Sequence, residues 1–180
     1  MPTLWTFGNK KYDWVDEVAD RIIYKVNDQT LNNTSLEYTY HKFNEQRHNM
    51  KFGDIVLIFL TDSNRRWFFE DPNVEQEIDK TTATAVKYYY SYLNNKTLFK
   101  STFMMFLNDV QGWSHFRKLR IIVFPETDDL IDLIDEQRRN LFLLNIAHGD
   151  LSKPYDDIVQ QIYDNIKVNK PIYLQGEYNS

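Results

Sequence analysis

The sequence predicts a three-layer α/β domain, with a mainly parallel central sheet flanked by helices. Three observations predict it. Strand-like apolar runs alternate along the chain with stretches whose apolar residues recur every three or four positions. The run Ile55-Val56-Leu57-Ile58-Phe59-Leu60 contains no polar residue, the habit of a parallel strand buried on both faces. Finally, 180 residues with 42% hydrophobic content suffice for one domain, 1–180, with a sizeable core.

Each element follows in order. Thr3–Phe7 is the first strand, closed by Gly8-Asn9. Trp14, Val15, Val18, Ile22 and Val26 keep helical spacing, and Asp13, Asp16, Glu17 and Asp20 suit the positive end of the helix dipole. Asn27-Asp28-Gln29 ends that helix, and Leu36–Tyr40 alternates like a short strand. Asp54–Leu60 is the central strand. Asp71-Pro72 then opens a helix, Asp as cap and Pro at the first helical position, carrying Val74, Ile78, Ala85, Tyr89 and Leu93. After Asn94-Asn95 the spacing resumes through Leu98, Phe99, Phe103, Phe106, Leu107 and Val110 to Gly112. Leu119–Phe124 is a strand, Thr127 caps a short acidic helix, and Leu141–Ile146 is a further buried strand. Ser152 and Pro154 open a last helix, and Ile172–Leu174 is read as a terminal strand. This order suits a flavodoxin-like or Rossmann-like arrangement.

Composition excludes several chemistries. There is no Cys, so no disulfide, thiolate metal site or Cys nucleophile. The four His, at 41, 48, 115 and 148, show no metal-ligand spacing. No phosphate-binding P-loop, Gly-x-Gly-x-x-Gly or Gly-x-Ser-x-Gly is present, so no cofactor is named by motif. Net charge is −5 with 21 Lys plus Arg against 26 Asp plus Glu, which disfavours a duplex-DNA coat. No apolar run approaches membrane-spanning length, and Met1–Trp5 has no leader-like pattern, so a cytoplasmic protein without a membrane partner is expected. The richness in Asn, Lys, Tyr and Ile matches AT-rich genomes, including those of viruses and phages.

In open parallel sheets ligands sit beyond the carboxyl ends of the strands. That rule selects four loops: Gly8-Asn9-Lys10, Thr61-Asp62-Ser63-Asn64-Arg65, Pro125-Glu126-Thr127-Asp128 and Ala147-His148-Gly149-Asp150. Gly8 and Gly149 permit close backbone approach. Thr61, Asp62 and Ser63 offer polar groups, Arg65 a fixed cation, and His148 a titratable ring. Glu70 and Asp71, beside Trp67, Phe68 and Phe69, are the acid/base candidates, because aromatic surroundings raise a carboxyl pKa. The acidic run Asp128, Asp129, Asp132, Asp135 and Glu136 reads as a solvated helix face. The run Tyr88-Tyr89-Tyr90-Ser91-Tyr92 cannot point one way on a helix, so a homo-oligomer or protein contact through Tyr88, Tyr89, Tyr90 and Tyr92 is expected.

The stretch Asp54 to Ser63, followed by Trp67 and an acidic residue opening a helix, resembles the central segment of TIR domains. The opening strand, polar loop and Asp13-Trp14-Val15-Asp16-Glu17 are similar to that family as well. The resemblance implies a flavodoxin-like fold. It also implies a pocket shaped by Ser63, Trp67 and one of Glu70 or Asp71, used for cleavage of NAD or for self-association in signalling and defence. A second stretch, Asn44 to Leu57 with Arg47, Met50-Lys51 and Gly53-Asp54, resembles the strand entrance of PUA-like modules of the EVE and ASCH type. That resemblance implies an α+β barrel holding a modified base, with Trp5, Trp14, Tyr38 and Tyr40 as stacking faces. A third expectation is a non-enzymatic viral or phage interaction protein with a Tyr-rich surface. Whether the chain is an enzyme, and which ligand it takes, stays open at this level.

Overall fold

A computed structural model describes residues 1–32, 34–60, 96–141, 144–147 and 156–168. Five strands, β1 (Thr3–Gly8), β2 (Lys25–Thr30), β3 (Ile55–Leu60), β4 (Arg120–Pro125) and β5 (Asn145–Ile146), form one sheet in the order β2-β1-β3-β4-β5. Every pairing is parallel. Among the described residues five α-helices accompany them: α1 (Trp14–Ile22), α2 (Leu36–Gln46), α3 (Lys96–Arg117), α4 (Asp128–Glu136) and α5 (Asp156–Val168). This strand order is the flavodoxin-like one, with the chain reversing its direction of travel between β1 and β3.

The central strand explains the layering. All six residues of β3 are buried. Ile55, Leu57 and Phe59 pack with Trp14, Val15 and Val18 of α1 and Val159 and Ile162 of α5. Val56, Ile58 and Leu60 pack with Phe43 of α2, Phe103, Phe106 and Leu107 of α3, and Leu130 and Ile134 of α4. Successive side chains alternate between two apolar layers, so an uninterrupted apolar run is what this position demands. Each such large side chain contributes about 1.5–3 kcal/mol of burial before entropy is counted.

Several expectations are corrected. The first helix stops at Ile22, because Ile23 adopts the left-handed conformation (φ 60°) and its N–H returns to the Asp20 carbonyl at 3.3 Å. Val26 and Asn27-Asp28-Gln29 therefore lie in β2, an edge strand whose polar sequence hides it from any apolar pattern. Leu36–Tyr40 is not a strand but the start of α2, whose Ser35 cap accepts the Tyr38 N–H at 3.1 Å. The helix expected to end at Gly112 runs on to Arg117. Of the strand expected over Leu141–Ile146, Asn145–Ile146 pairs with β4, whereas the described Leu141 and Leu144 lie outside the strand. Thr127 does stand at the start of α4, but its side chain makes no capping bond. The barrel alternative is not needed, since β3 runs parallel to both neighbours. Its stacking faces fail too: Trp5, Trp14 and Tyr38 are core residues, and Tyr40 packs against the core and bonds Asp109. The helix read from Asp71, the Tyr88–Tyr92 run and the Ile172–Leu174 strand lie outside the described residues. Among the described residues no helix is long and apolar enough to cross a membrane.

Candidate functional site

The reversal of strand order leaves β1 and β3 side by side, their carboxyl ends at the same end of the sheet. Gly8 closes β1 there with φ +105°, and a Cβ at this position would stand 1.8 Å from the Phe59 carbonyl oxygen. Only glycine fits. The Asn9 N–H donates to the same Phe59 oxygen at 3.0 Å, and the Leu31 N–H donates to the Gly8 oxygen at 2.9 Å. Three strand exits are thus tied together, and Asn9, Lys10 and Tyr12 are carried over the top of β3.

Glu126 meets them from the other side. It follows β4, and its N–H donates to the Leu60 carbonyl at 2.8 Å, which anchors the loop to the end of β3. The Tyr12 hydroxyl donates to Glu126 Oε1 at 2.6 Å across 114 positions of sequence. Tyr12 is itself fixed, its ring stacked on Trp14 (centroids 6.0 Å apart) and tilted on Phe59 (5.2 Å). Burial pushes the Glu126 carboxyl above its ordinary value, opposed by hydrogen bonds from Tyr12 and the Asn9 side chain and by the Lys10 charge. Lys10 Nζ lies 5.8 Å from the centre of the Tyr12 ring. A half-buried carboxyl raised by burial and held by a phenol and an amide suits proton transfer or a hydrogen bond to a ligand hydroxyl.

Two orphan hydroxyls mark the same edge. Thr127, next to Glu126, and Thr34, in the loop leading to α2, each bury a hydroxyl without a hydrogen-bond partner among the described residues. Thr34 lines a recess with Leu60, Phe99 and Leu130 that has free space of about 10 Å³, room for about one water. Buried orphan hydroxyls are rare and call for a partner.

Of the residues expected at the site, Gly8, Asn9 and Lys10 are where the loop rule put them. Thr61, Asp62, Ser63, Arg65, Trp67, Glu70, Asp71, His148 and Gly149 lie outside the described residues. Glu126 belongs to one of the four loops, and Tyr12 lies just ahead of the first helix. The loop rule could have found Glu126; nothing local predicts that a Tyr so distant in sequence would meet it. Among the described residues no group of three or more His, Asp or Glu is arranged to hold a metal. In comparisons with known proteins, no family model and no curated protein matches the chain.

One consequence is testable by stability alone. A carboxyl whose folded pKa is raised favours the protonated folded state, so its stabilisation is full below the unfolded pKa and is lost as pH rises through the folded one. Glu126 therefore lowers stability as pH climbs upward from its ordinary value of 4.5. Urea midpoints of Glu126→Gln should fall less steeply than wild type over that rise. Parallel curves would show that Glu126 does not titrate differently in the fold.

Proposed function

We propose that the chain binds a nucleotide-type ligand in the crevice at the carboxyl ends of β1, β3 and β4. The observation that carries this reading is the Tyr12–Glu126 pair, a partly buried carboxyl held at 2.6 Å where strand order reverses. Ligands of doubly wound sheets favour that place. In this reading the backbone at Gly8 approaches the ligand, Lys10 attracts a phosphate, and Glu126 takes a ribose hydroxyl or shuttles a proton. The resemblance to TIR domains adds NAD as the first ligand to try, Arg65 as a phosphate clamp, and Glu70 or Asp71 as the acid that acts on it. The same resemblance supports self-association as the use of this domain if no turnover is found.

The test is titration with NAD, ADP-ribose and ADP by calorimetry, with product analysis over the same incubation. Binding is expected, and Lys10→Ala and Glu126→Gln should each weaken it about tenfold, the worth of one charge-assisted hydrogen bond. If NAD is cleaved, Glu70→Gln and Asp71→Asn should differ sharply, because one of the two acts on it. Absence of both binding and turnover overturns the nucleotide reading and leaves assembly, which sedimentation then measures.

A further inference from the structure

The opposite end of the sheet carries a second surface. The stretches 47–53 and 113–120 enter β3 and β4 at their amino ends, and they contain Arg47, Lys51, Arg117, Lys118 and Arg120 with no Asp or Glu, in a chain of net charge −5. Four of the described cations elsewhere are neutralised: Lys11 by Asp16 at 2.8 Å, Arg21 by Glu17 at 2.7 Å, Lys42 by Glu45 at 2.8 Å, and Lys100 by Glu136. Lys51, Arg117 and Lys118 have no carboxylate partner among the described residues.

Aromatic rings stand among these charges. Phe52 is 78% exposed and Phe116 is 70% exposed, although rings of this size normally find cover. Trp113, 5.5 Å from the Phe116 ring, is held by Nε1–H donating to the Arg47 carbonyl at 3.1 Å. The Arg47 and Arg117 guanidinium carbons lie 5.0 and 5.1 Å from its ring centre, and Arg117 also lies 5.5 Å from that of Phe116. Arg47 is further fixed by Asp109 at 3.1 Å. The Arg117 guanidinium thus sits over two rings. Phe52 borders a cleft of about 390 Å³ that it shares with Lys118, Arg120 and Tyr24. Lys118 keeps φ +55°, a conformation glycine would adopt at less cost.

We propose that this amino-terminal edge binds single-stranded nucleic acid, its bases stacking on Phe52 and Phe116 and its phosphates meeting Lys51, Arg117 and Lys118. Exposed rings interleaved with uncompensated cations form the platform that unpaired strands use, because every base has a face to stack and every linkage a charge. A duplex hides those faces, and the chain's negative net charge opposes a long rigid polyanion. The surface lies at the far end of the strands from the Tyr12–Glu126 crevice, so the two readings stand or fall separately.

The experiment is fluorescence anisotropy of a labelled oligothymidylate of about 15 nucleotides, with the matching duplex, an acidic peptide containing Phe, and phosphatidylserine vesicles measured alongside. For three neutralised phosphates the single-strand affinity should drop roughly 20-fold between about 50 and 200 mM salt. Phe52→Ala and Phe116→Ala should each weaken binding at least about fivefold. Arg117→Ala and Lys118→Ala should each flatten the log–log salt slope by about 0.7. Lys100→Ala, which removes a cation already paired with Glu136 away from this edge, should change nothing. No oligonucleotide binding at low salt overturns the proposal, as does binding indifferent to both Phe variants. So does capture by vesicles or peptide without capture by oligonucleotide, a result that exposed Ile23 at the same edge would favour because it offers no stacking face.

Discussion

Replacing Gly8 with alanine is expected to destabilise the protein by about 4 kcal/mol or more, among the largest effects a single methyl can have. Two costs add. An L side chain at φ +105° loses on the order of 1–2 kcal/mol to its own backbone. The new Cβ would also stand 1.8 Å from the Phe59 oxygen, which is main chain in the middle of the sheet and cannot swing aside. Relief requires β1 and β3 to separate, which breaks the bond that ties Asn9 to Phe59. For a chain of this length the loss corresponds to a melting temperature lower by roughly 8–16 °C, measured by circular dichroism. Gly53→Ala is the internal control. Gly53 also has positive φ, +87°, but nothing stands within 4 Å of its added Cβ, so about 1 kcal/mol is expected. Equal losses at the two glycines would mean that the close approach at Gly8 contributes nothing.

Asp54→Ala is expected to cost a similar amount for a different reason. The Asp54 carboxylate is 4% exposed and accepts three N–H groups: Thr3 at 2.9 Å, the Trp5 indole at 3.0 Å and Lys51 at 2.9 Å. It ties the first strand, its Trp and the turn before β3 into one knot. Hydrogen bonds to a charged acceptor are worth about 1.5–3 kcal/mol each, and donors left buried without a partner cost about 1–3 kcal/mol. Partial rewetting of the Thr3 and Lys51 amides limits the sum, so about 4 kcal/mol is the expected loss, read from urea midpoints. Asp54→Asn should recover only part of it, because one amide face presents N–H to N–H. In a Trp5→Phe background the alanine substitution should cost less, since one orphaned donor is already gone. A loss below about 1 kcal/mol, or full additivity with Trp5→Phe, would remove Asp54 from this role.

The legible parts of the fold were those where one residue's surroundings are the same on all sides. β3 could be read because both of its faces meet apolar layers, so every side chain had to be apolar. β2 could not. Its sequence, Lys-Val-Asn-Asp-Gln-Thr, pairs on one side only, and its backbone bonds to β1 make it a strand rather than any burial of side chains. α2 was misread because Leu36, Tyr38 and Tyr40 alternate with polar residues, yet the Ser35 cap and the packing of Phe43 and Tyr40 on Phe106 turn the segment into a helix. At the site, the loop rule located Gly8, Asn9, Lys10 and the loop of Glu126, since it depends only on where strands end. It could not weigh Glu126, whose carboxyl is raised by burial in the fold, a rise opposed by Tyr12, Asn9 and Lys10 brought from the other end of the chain.

From residues alone came the layer architecture and the central place of residues 55–60, because periodicity is a local property. Only the folded chain settled the strand order, the edge position of β2, the pairing of Tyr12 with Glu126 and the gathering of Lys51, Phe52, Phe116, Arg117 and Lys118 on one edge. Those are long-range juxtapositions, and free energy assigns them through packing and hydrogen bonds between segments that carry no mark of each other in sequence.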